Sequence, residues 1–494
     1  MIDSGSEFGR IRSVFWPIHG FELKKFIPMS FLLFANLFVY TIASNLKDIF
    51  VLSYATLGGT ELIAPLKGVL VLPSAIFIAM IFSAIVNKFG MYKTFYICIS
   101  FFSLFFLLFA FVLFPNASKI HLSAETMISM QNTLPKFLHY LIPCIGNWSF
   151  SLFFILAESW GVISIHSLFW HFSNRVTKKT EMNRFYALYH LIGCIGRLIA
   201  GKFIVFMSNV GNYDFNRSVQ ILISSAIAFC MISMLLYYYI NKNILTDPLL
   251  CDQSKIDIKP KKKKKVGFFT GIKILFSSKY LFLILLLPIS YGIGIHLFEV
   301  VLKGHIKSVS SNPSDTGRIL GQLSQLTAAL TWVSTFIGTY ILRNFKWKYA
   351  AMFTPIVLLL TGGLFFLLMF YKKSITSDLF GLSVPLAILW IGMIADSIAK
   401  AMKYCLFDPT KSIAYRVLDS ETQAQGQGAV EIVGGRGGKG LAAIVTMMFT
   451  SVFYPGSKVL DHMCGLFFVF LFTVIAWTFS CNKLGNLYEE KSKE

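Results

Sequence analysis

Apolar runs of about 20 residues, long enough to cross a hydrocarbon core, recur along the whole chain between shorter polar stretches. They predict membrane-spanning helices roughly at 27–44, 62–87, 92–114, 139–170, 185–207, 218–240, 280–302, 321–342, 350–371, 382–406, 428–453 and 464–482. These are numbered spans 1 to 12 below. The pattern predicts an all-α polytopic membrane protein. Composition agrees: 55% of the 494 residues are hydrophobic, 50 are Phe and only 14% are charged, which excludes an ordinary soluble enzyme.

The formal net charge of +21 would suit a nucleic-acid binder, but its placement argues for a membrane instead. Basic residues crowd before span 1 (Arg10, Arg12, Lys24, Lys25), after span 4 (Arg175, Lys178, Lys179, Arg184) and after span 6 (Lys255, Lys259, Lys261 to Lys265). The loops on the opposite side carry fewer. The positive-inside rule therefore puts both termini and the central loop in the cytoplasm, as an even number of spans requires, and no nucleic-acid partner is expected. No cleavable signal pattern precedes span 1, so that span is expected to be retained. The abundance of Phe, Ile and Lys leans toward a bacterial cell membrane.

The basic stretch 241–279 divides six spans (1–240) from six (280–494). This 6+6 plan is that of major-facilitator-type transporters, whose substrate site lies near the midplane between the halves. The intramembrane charges sharpen the expectation, since each costs about 2.5–3.5 kcal/mol at mid-bilayer on insertion scales. Lys47 and Asp48 end span 1, Glu158 lies in span 4, Glu299 and Lys303 end span 7, and Asp396, Lys400 and Lys403 lie in span 10, with Asp408 and Lys411 just beyond. Spans 1, 4, 7 and 10 line the cavity of a major-facilitator fold. Lys67 in span 2 and Arg197 in span 5 fall outside that set and read as gate or packing partners.

His296, Glu299 and Lys303 share one helix face, as do Asp396, Lys400 and Lys403. The plain alternative is that Glu299 pairs with Lys303 and Asp396 with Lys400 as local i,i+4 ion pairs. As a cavity lining, Lys47, Lys303, Lys400, Lys403 and Lys411 favour a multiply charged anion, and lysine is a compact partner for phosphate. Phosphorylated cargo follows, with sulfate or a dicarboxylate as alternatives. Glu158 and Glu299 would balance the charge of the empty site, bind a counter-ion or proton, or hold lysines in two conformations.

Other signals carry less. Gly434 to Gly440 contains Arg436 and Lys439 but lacks the spacing of a P-loop, and reads as a flexible, close-packing gate region with two cations. The lysine string reads as a solvated linker or a contact for anionic lipid headgroups. Asn116-Ala117-Ser118 is a formal glycosylation match. The eight scattered cysteines read as core residues, the nine histidines have no metal-ligand spacing, and no cofactor is expected.

Several segments together resemble the ATP/ADP translocase (nucleotide transporter) family of obligate intracellular bacteria, plastids and microsporidia. They include Phe15-Trp16-Pro17-Ile18, Glu22-Leu23-Lys24-Lys25, Lys47-Asp48, Asn147-Trp148-Ser149-Phe150, Ala157-Glu158, Arg184-Phe185-Tyr186-Ala187-Leu188, Leu245-Thr246-Asp247-Pro248, Glu299-Val300, Lys403-Tyr404, Leu406-Phe407-Asp408 and Thr410-Lys411. The resemblance implies a twelve-span carrier that exchanges ATP for ADP, with Lys47, Glu158, Glu299 and Lys411 as its important charges. It also exposes departures. The family commonly has arginine at Ser44, threonine at Leu46, asparagine at Cys194 and His296, tryptophan at Leu302, Ile-Pro at Arg416-Val417, and lysines where Gln423, Gln425 and Gln427 stand.

The expected mechanism is alternating access of two halves around a midplane site. An empty and strongly cationic cavity would resist reorientation until an anion neutralises it, which would make transport an exchange. The rival is proton-coupled net import of another nucleotide or of NAD, with phosphate or protons as co-substrates. A lipid-modifying membrane enzyme is a third reading, against which stands the lack of a nucleophile–base pair or metal motif. A structural or signalling role would leave charges on four cavity helices without a purpose.

Overall fold

The computed structural model describes residues 12, 16–178, 180–209, 214–251, 278–418 and 420–492, with the side chains of all but 183, 420–429, 431–433 and 436. Among them every element is a helix except one isolated bridge between Leu379 and Leu382. Eight long apolar helices supply one pass each: span 1 (Gly20–Tyr54), span 4 (Trp148–Val176), span 5 (Met182–Asn209), span 6 (Phe215–Ile244), span 7 (Lys279–Val309), span 9 (Trp347–Tyr371), span 10 (Val384–Val417) and span 12 (Val459–Lys491). The helix Thr60–Leu113 supplies spans 2 and 3. Straight, its 54 residues would reach about 80 Å, more than twice the hydrocarbon thickness. It breaks at Gly90, whose φ of 74° and ψ of 164° only glycine adopts without strain.

Spans 8 (Pro313–Asn344) and 11 (Ser420–Met447) are more polar and complete twelve passes among the described residues. Span 8 remains compatible with lipid because its threonines return their hydroxyls to the preceding turn. Thr327, Thr331, Thr335 and Thr339 each donate to the carbonyl four residues earlier, at 2.6–2.8 Å. The expected helix at 139–170 is interrupted at Asn147, which is not helical. Its side chain instead ties the chain after span 1: Nδ2 donates to the carbonyl of Thr56 at 2.9 Å, and Oδ1 accepts from the Thr56 N–H at 3.1 Å. The lysine string 259–265 and the side chains of Gln423, Gln425, Gln427 and Arg436 lie outside what is described.

Between lipid-embedded helices the hydrophobic effect supplies little, so close contact decides the packing. Phenylalanines fill the first six passes; Phe50 of span 1 meets Phe109, Phe150 and Phe153 with ring centroids 5.2–5.4 Å apart. Small residues set the tightest crossings. Gly438 of span 11 lies on Gly292 of span 7, and Gly201 of span 5 on Gly321 of span 8. The second crossing joins the first six passes to the last six. The glycine run in span 11 is thus close-packing at Gly434 and Gly438, while Gly435 and Gly437 have open space beside them.

A methyl group at Gly438 would stand 2.5 Å from the Ile289 carbonyl oxygen. Gly438→Ala is therefore expected to destabilise the protein by about 1–3 kcal/mol through overpacking. Gly437→Ala should not, since nothing lies within 4 Å. Melting temperatures of the two purified variants check this; equal values would refute the tight crossing.

Candidate transport site

An even number of passes puts both termini and the 241–279 link on one side of the bilayer, here termed the terminal side. Spans 1 and 7 run away from it and end near the far side, whereas span 10 runs back toward it. The predicted charges from these spans converge. Lys47 Nζ lies 3.0 Å from Asp48 and 3.1 Å from Glu158 of span 4, above the ring of Phe154 at 4.3 Å. Asp48 also receives Lys303 of span 7 at 2.7 Å. Lys400 of span 10 joins Glu299 of span 7 at 2.9 Å and Asp396 of its own helix at 2.8 Å.

Of the two local pairs that helical spacing offered, only Asp396–Lys400 forms. Glu299 and Lys303 each choose partners on other helices. Lys67, set aside as an exception, belongs to the network: its ammonium lies 3.9 Å from Glu299 and 3.2 Å from His296 Nδ1. Its residues occupy a π-helical stretch, Leu66–Val71, of the kind that often marks functional positions. Asp48, Asp396 and His296 complete the group; a charge or imidazole in an apolar run was their signal.

The inner charges thus form two groups with no bond between them among the described residues, Lys47 and Lys303 with Asp48 and Glu158, and Lys67 and Lys400 with Glu299 and Asp396. Each group is charge-balanced by itself, whereas the expected cationic cavity also counted Lys403 and Lys411. Pairing is what makes the burial tolerable, because an isolated buried charge costs several kcal/mol. Lys403 and Lys411, both expected in the site, lie further toward the terminal side and share Asp408 at 2.7 and 4.0 Å. Arg436 lies in span 11, and its side chain is outside what is described.

Exposure does not follow this axis: the side chains of Asp396, Lys47, Asp48 and Lys411 are 0%, 4%, 9% and 9% exposed, whereas those of Lys403, Glu158, Lys400 and Asp408 reach 27%, 29%, 31% and 36%. Bonds between the first six and last six passes gather toward the far side. Besides Asp48–Lys303, Ser53 meets Thr316 at 2.8 Å, Tyr140 donates to the Ser457 carbonyl at 2.7 Å, and the Val459 N–H donates to Glu61 at 3.2 Å. On the terminal side Lys25–Glu181 and Arg184–Glu22 instead tie elements of the first six passes to one another. The arrangement is a buried ionic core, with the bonds between the first six and last six passes gathered toward the far side.

Two positions that depart from the resemblance sit at or near this core. His296 is the buried partner of Lys67, and Cys194 Sγ lies 3.6 Å from His190 Nδ1 in span 5. Among the described residues no cluster of metal ligands exists.

Residues 1–488 match the sequence profile of the family described as TLC ATP/ADP transporter. The chain belongs to this family. It is accordingly a transporter rather than a membrane enzyme. Among its relatives, ADP,ATP carrier protein 1 of Rickettsia bellii is 35% identical over 98% of this chain and 97% of its own length. ADP,ATP carrier protein 1 of Chlamydia trachomatis is 34% identical over 97% and 92%. Among solved structures, a D-xylose-proton symporter superposes with a TM-score of 0.56 at 13% identity, covering 93% of this chain and 97% of the other. The nucleoside transporter NupG superposes with a TM-score of 0.54 at 12%, covering 94% and 99%. At such identities these two speak for the fold alone, which is of the major-facilitator kind.

Proposed function

We propose that this TLC family member exchanges ATP for ADP across a bacterial cell membrane, with the termini and the 241–279 link in the cytoplasm. Its halves, 1–240 and 280–494, rock about the ionic core. The observation that carries this reading is the set of bonds from spans 1 and 2 to span 7, Asp48–Lys303 and Lys67–Glu299, beside Glu158 of span 4 and Lys400 of span 10. These pairs join groups that alternating access must separate. Lys47, Glu158, Glu299, Lys303 and Lys400 form the switching core, and Lys403 and Lys411, with Arg436 as a further candidate, contribute positive charge to the route of the cargo.

Exchange follows from charge balance. With the core neutral when empty, the far-side seal is held by its own ion pairs, and a bound polyanion releases lysines by offering itself as their alternative partner. A ligand shifts such an equilibrium only by its differential affinity for the two states. Uptake of labelled ATP into liposomes bearing the purified protein should require internal ADP. Uptake into empty liposomes at the same rate would overturn exchange.

One observation favours a second reading, proton-coupled net import of another nucleotide or NAD. Asp396 is fully buried, its Oδ1 has no hydrogen-bond partner, and it shares Lys400 with Glu299. A carboxyl so placed is a natural proton carrier. Uptake into empty liposomes that collapses with an uncoupler would select this reading.

A further inference from the structure

We propose that spans 2, 4 and 10 bend during exchange at π-helical stretches set into them beside the inner charges, and that these hinges swing Lys67, Glu158 and Lys400 off their partners. This rests on the exchange reading above and deepens it.

Seven π-helical stretches occur among the described residues. Four of them, Phe50–Tyr54, Phe109–Leu113, Ile240–Ile244 and Met448–Phe453, close the C-terminal ends of spans 1, 3, 6 and 11, where such turns are ordinary. The other three interrupt a helix that continues on both sides: Leu66–Val71 in span 2, Gly161–Phe169 in span 4 and Lys403–Phe407 in span 10. Each stands at an inner charge. Lys67 lies within the first, Glu158 three residues before the second and Lys400 three residues before the third.

In each stretch an amide reaches back five residues instead of four: Leu72 N–H to the Lys67 carbonyl, Trp170 N–H to Ile165 and Asp408 N–H to Lys403. At the entry in span 10 the Lys403 N–H is shared between the carbonyls of Ala399 and Lys400. Such turns are rare and mark places where a helix kinks. The sequence supplies them. Pro73 and Pro409, each two residues past its stretch, withhold an N–H and crowd the preceding turn. In span 4 Gly161 opens the stretch against Tyr40 of span 1, whose ring an added Cβ would meet at 2.8 Å. Proline alone does not produce a wide turn, since Pro288 of span 7 and Pro355 of span 9 stand inside α-helix. What the three stretches share is the charge beside them.

The partners of these charges lie on segments that stay α-helical. Lys67 and Lys400 both meet Glu299 of span 7, α-helical from Lys279 to Val309, and Glu158 meets Lys47 of span 1, α-helical from Leu23 to Ile49. Bending at a π-helical stretch therefore moves one member of each pair against a stiff partner. The fourth ion pair between spans of the core, Asp48–Lys303, joins the two stiff helices and parts only as the halves separate. A polyanion that takes Lys67 or Lys400 from Glu299 removes what holds the hinge in its present setting, so cargo binding and bending are coupled by the difference in affinity between the two settings.

The test compares the full-length wild type with P73A, P409A, P288A and a variant lacking Val162, by melting temperature in detergent and by ATP uptake into ADP-loaded liposomes. Alanine at 73 or 409 returns the missing N–H and stiffens the helix, so both variants should melt no lower than the wild type yet exchange at least about fivefold more slowly. Loss of Val162, which is largely exposed, narrows the stretch in span 4 and should slow exchange likewise. P288A, in a helix without a wide turn, should stay within about threefold of the wild-type rate. Wild-type rates in both P73A and P409A, or equal slowing in P288A, would overturn the hinges while leaving nucleotide transport standing. If the wild type takes up no ATP, the nucleotide reading falls and this inference with it. Should a hinge variant fail to fold, hydrogen exchange of the wild type decides: ATP should change protection across 66–72, 161–170 and 403–408 at least about twofold and leave 279–295 as it was. Unchanged protection in those three stretches would overturn the hinges as well.

Discussion

Lys400→Gln is expected to lower the stability of the folded protein by about 2–4 kcal/mol and to stop transport. Removing one partner of a buried ion pair generally costs about 3–5 kcal/mol because the other charge is left uncompensated; the partial exposure of Lys400 reduces that figure. Two carboxylates lose their cation at once, Glu299 at 2.9 Å and Asp396 at 2.8 Å. Glu299 retains Lys67 at 3.9 Å, but Asp396 is fully buried and its second oxygen already lacks a hydrogen-bond partner. Asp396 is therefore the group that suffers.

A neutral amide at that position should undo most of the damage, so K400Q/D396N should melt close to the wild type while K400Q melts well below it. Thermal denaturation of the three purified proteins in one detergent measures this. A K400Q protein as stable as the wild type would mean that Asp396 holds a proton in the native state and needs no cation. That outcome would shift the weight of the argument toward proton coupling. Transport adds a second readout: the double variant should be stable yet inactive, because the link from span 10 to Glu299 is gone.

The fold was largely legible in the chain because continuous apolar runs report membrane spans without reference to partners. What escaped was backbone detail: the break at Asn147 is set by hydrogen bonds to Thr56, over ninety residues earlier, which no local pattern contains. The same division holds at the site. The expense of a charge in lipid picked out Lys47, Glu158, Glu299, Lys303 and Lys400, and the structure pairs all five, the first, second and fourth in one group and Glu299 with Lys400 in another. It did not yield the pairing. Helical spacing offers Lys303 to Glu299, yet Lys303 reaches across to Asp48 because spans 1 and 7 approach closely there, a fact of tertiary structure. Lys67 was undervalued because no acid stands near it on its own helix. Arg197 finds its neighbour in Tyr404, two hundred residues later and beyond any local pattern.

Lys303→Gln should open the far side and slow exchange by at least about tenfold, the change produced by roughly 1.4 kcal/mol. In the present state Lys303 bonds Asp48 across the halves at 2.7 Å, whereas Lys47 bonds the same carboxylate within span 1 at 3.0 Å. Losing Lys303 removes the link between halves but leaves Asp48 a partner, so the variant should fold and only the balance between states should move. The Val459 N–H, which donates to Glu61 from the opposite half at 3.2 Å, offers a direct probe. Its hydrogen exchange should accelerate in K303Q by the same factor as the population of the open state, since exchange requires that bond to part. Asp48→Asn should act in the same direction, and D48N/K303Q should be no worse than either single variant, because both remove one interaction. If each single change slows ATP exchange without altering protection at Val459, Lys303 contacts the cargo instead of sealing the far side. The ion pair would then belong to the binding site, and the gate would have to be sought in the neighbouring Ser53–Thr316 and Tyr140–Ser457 contacts.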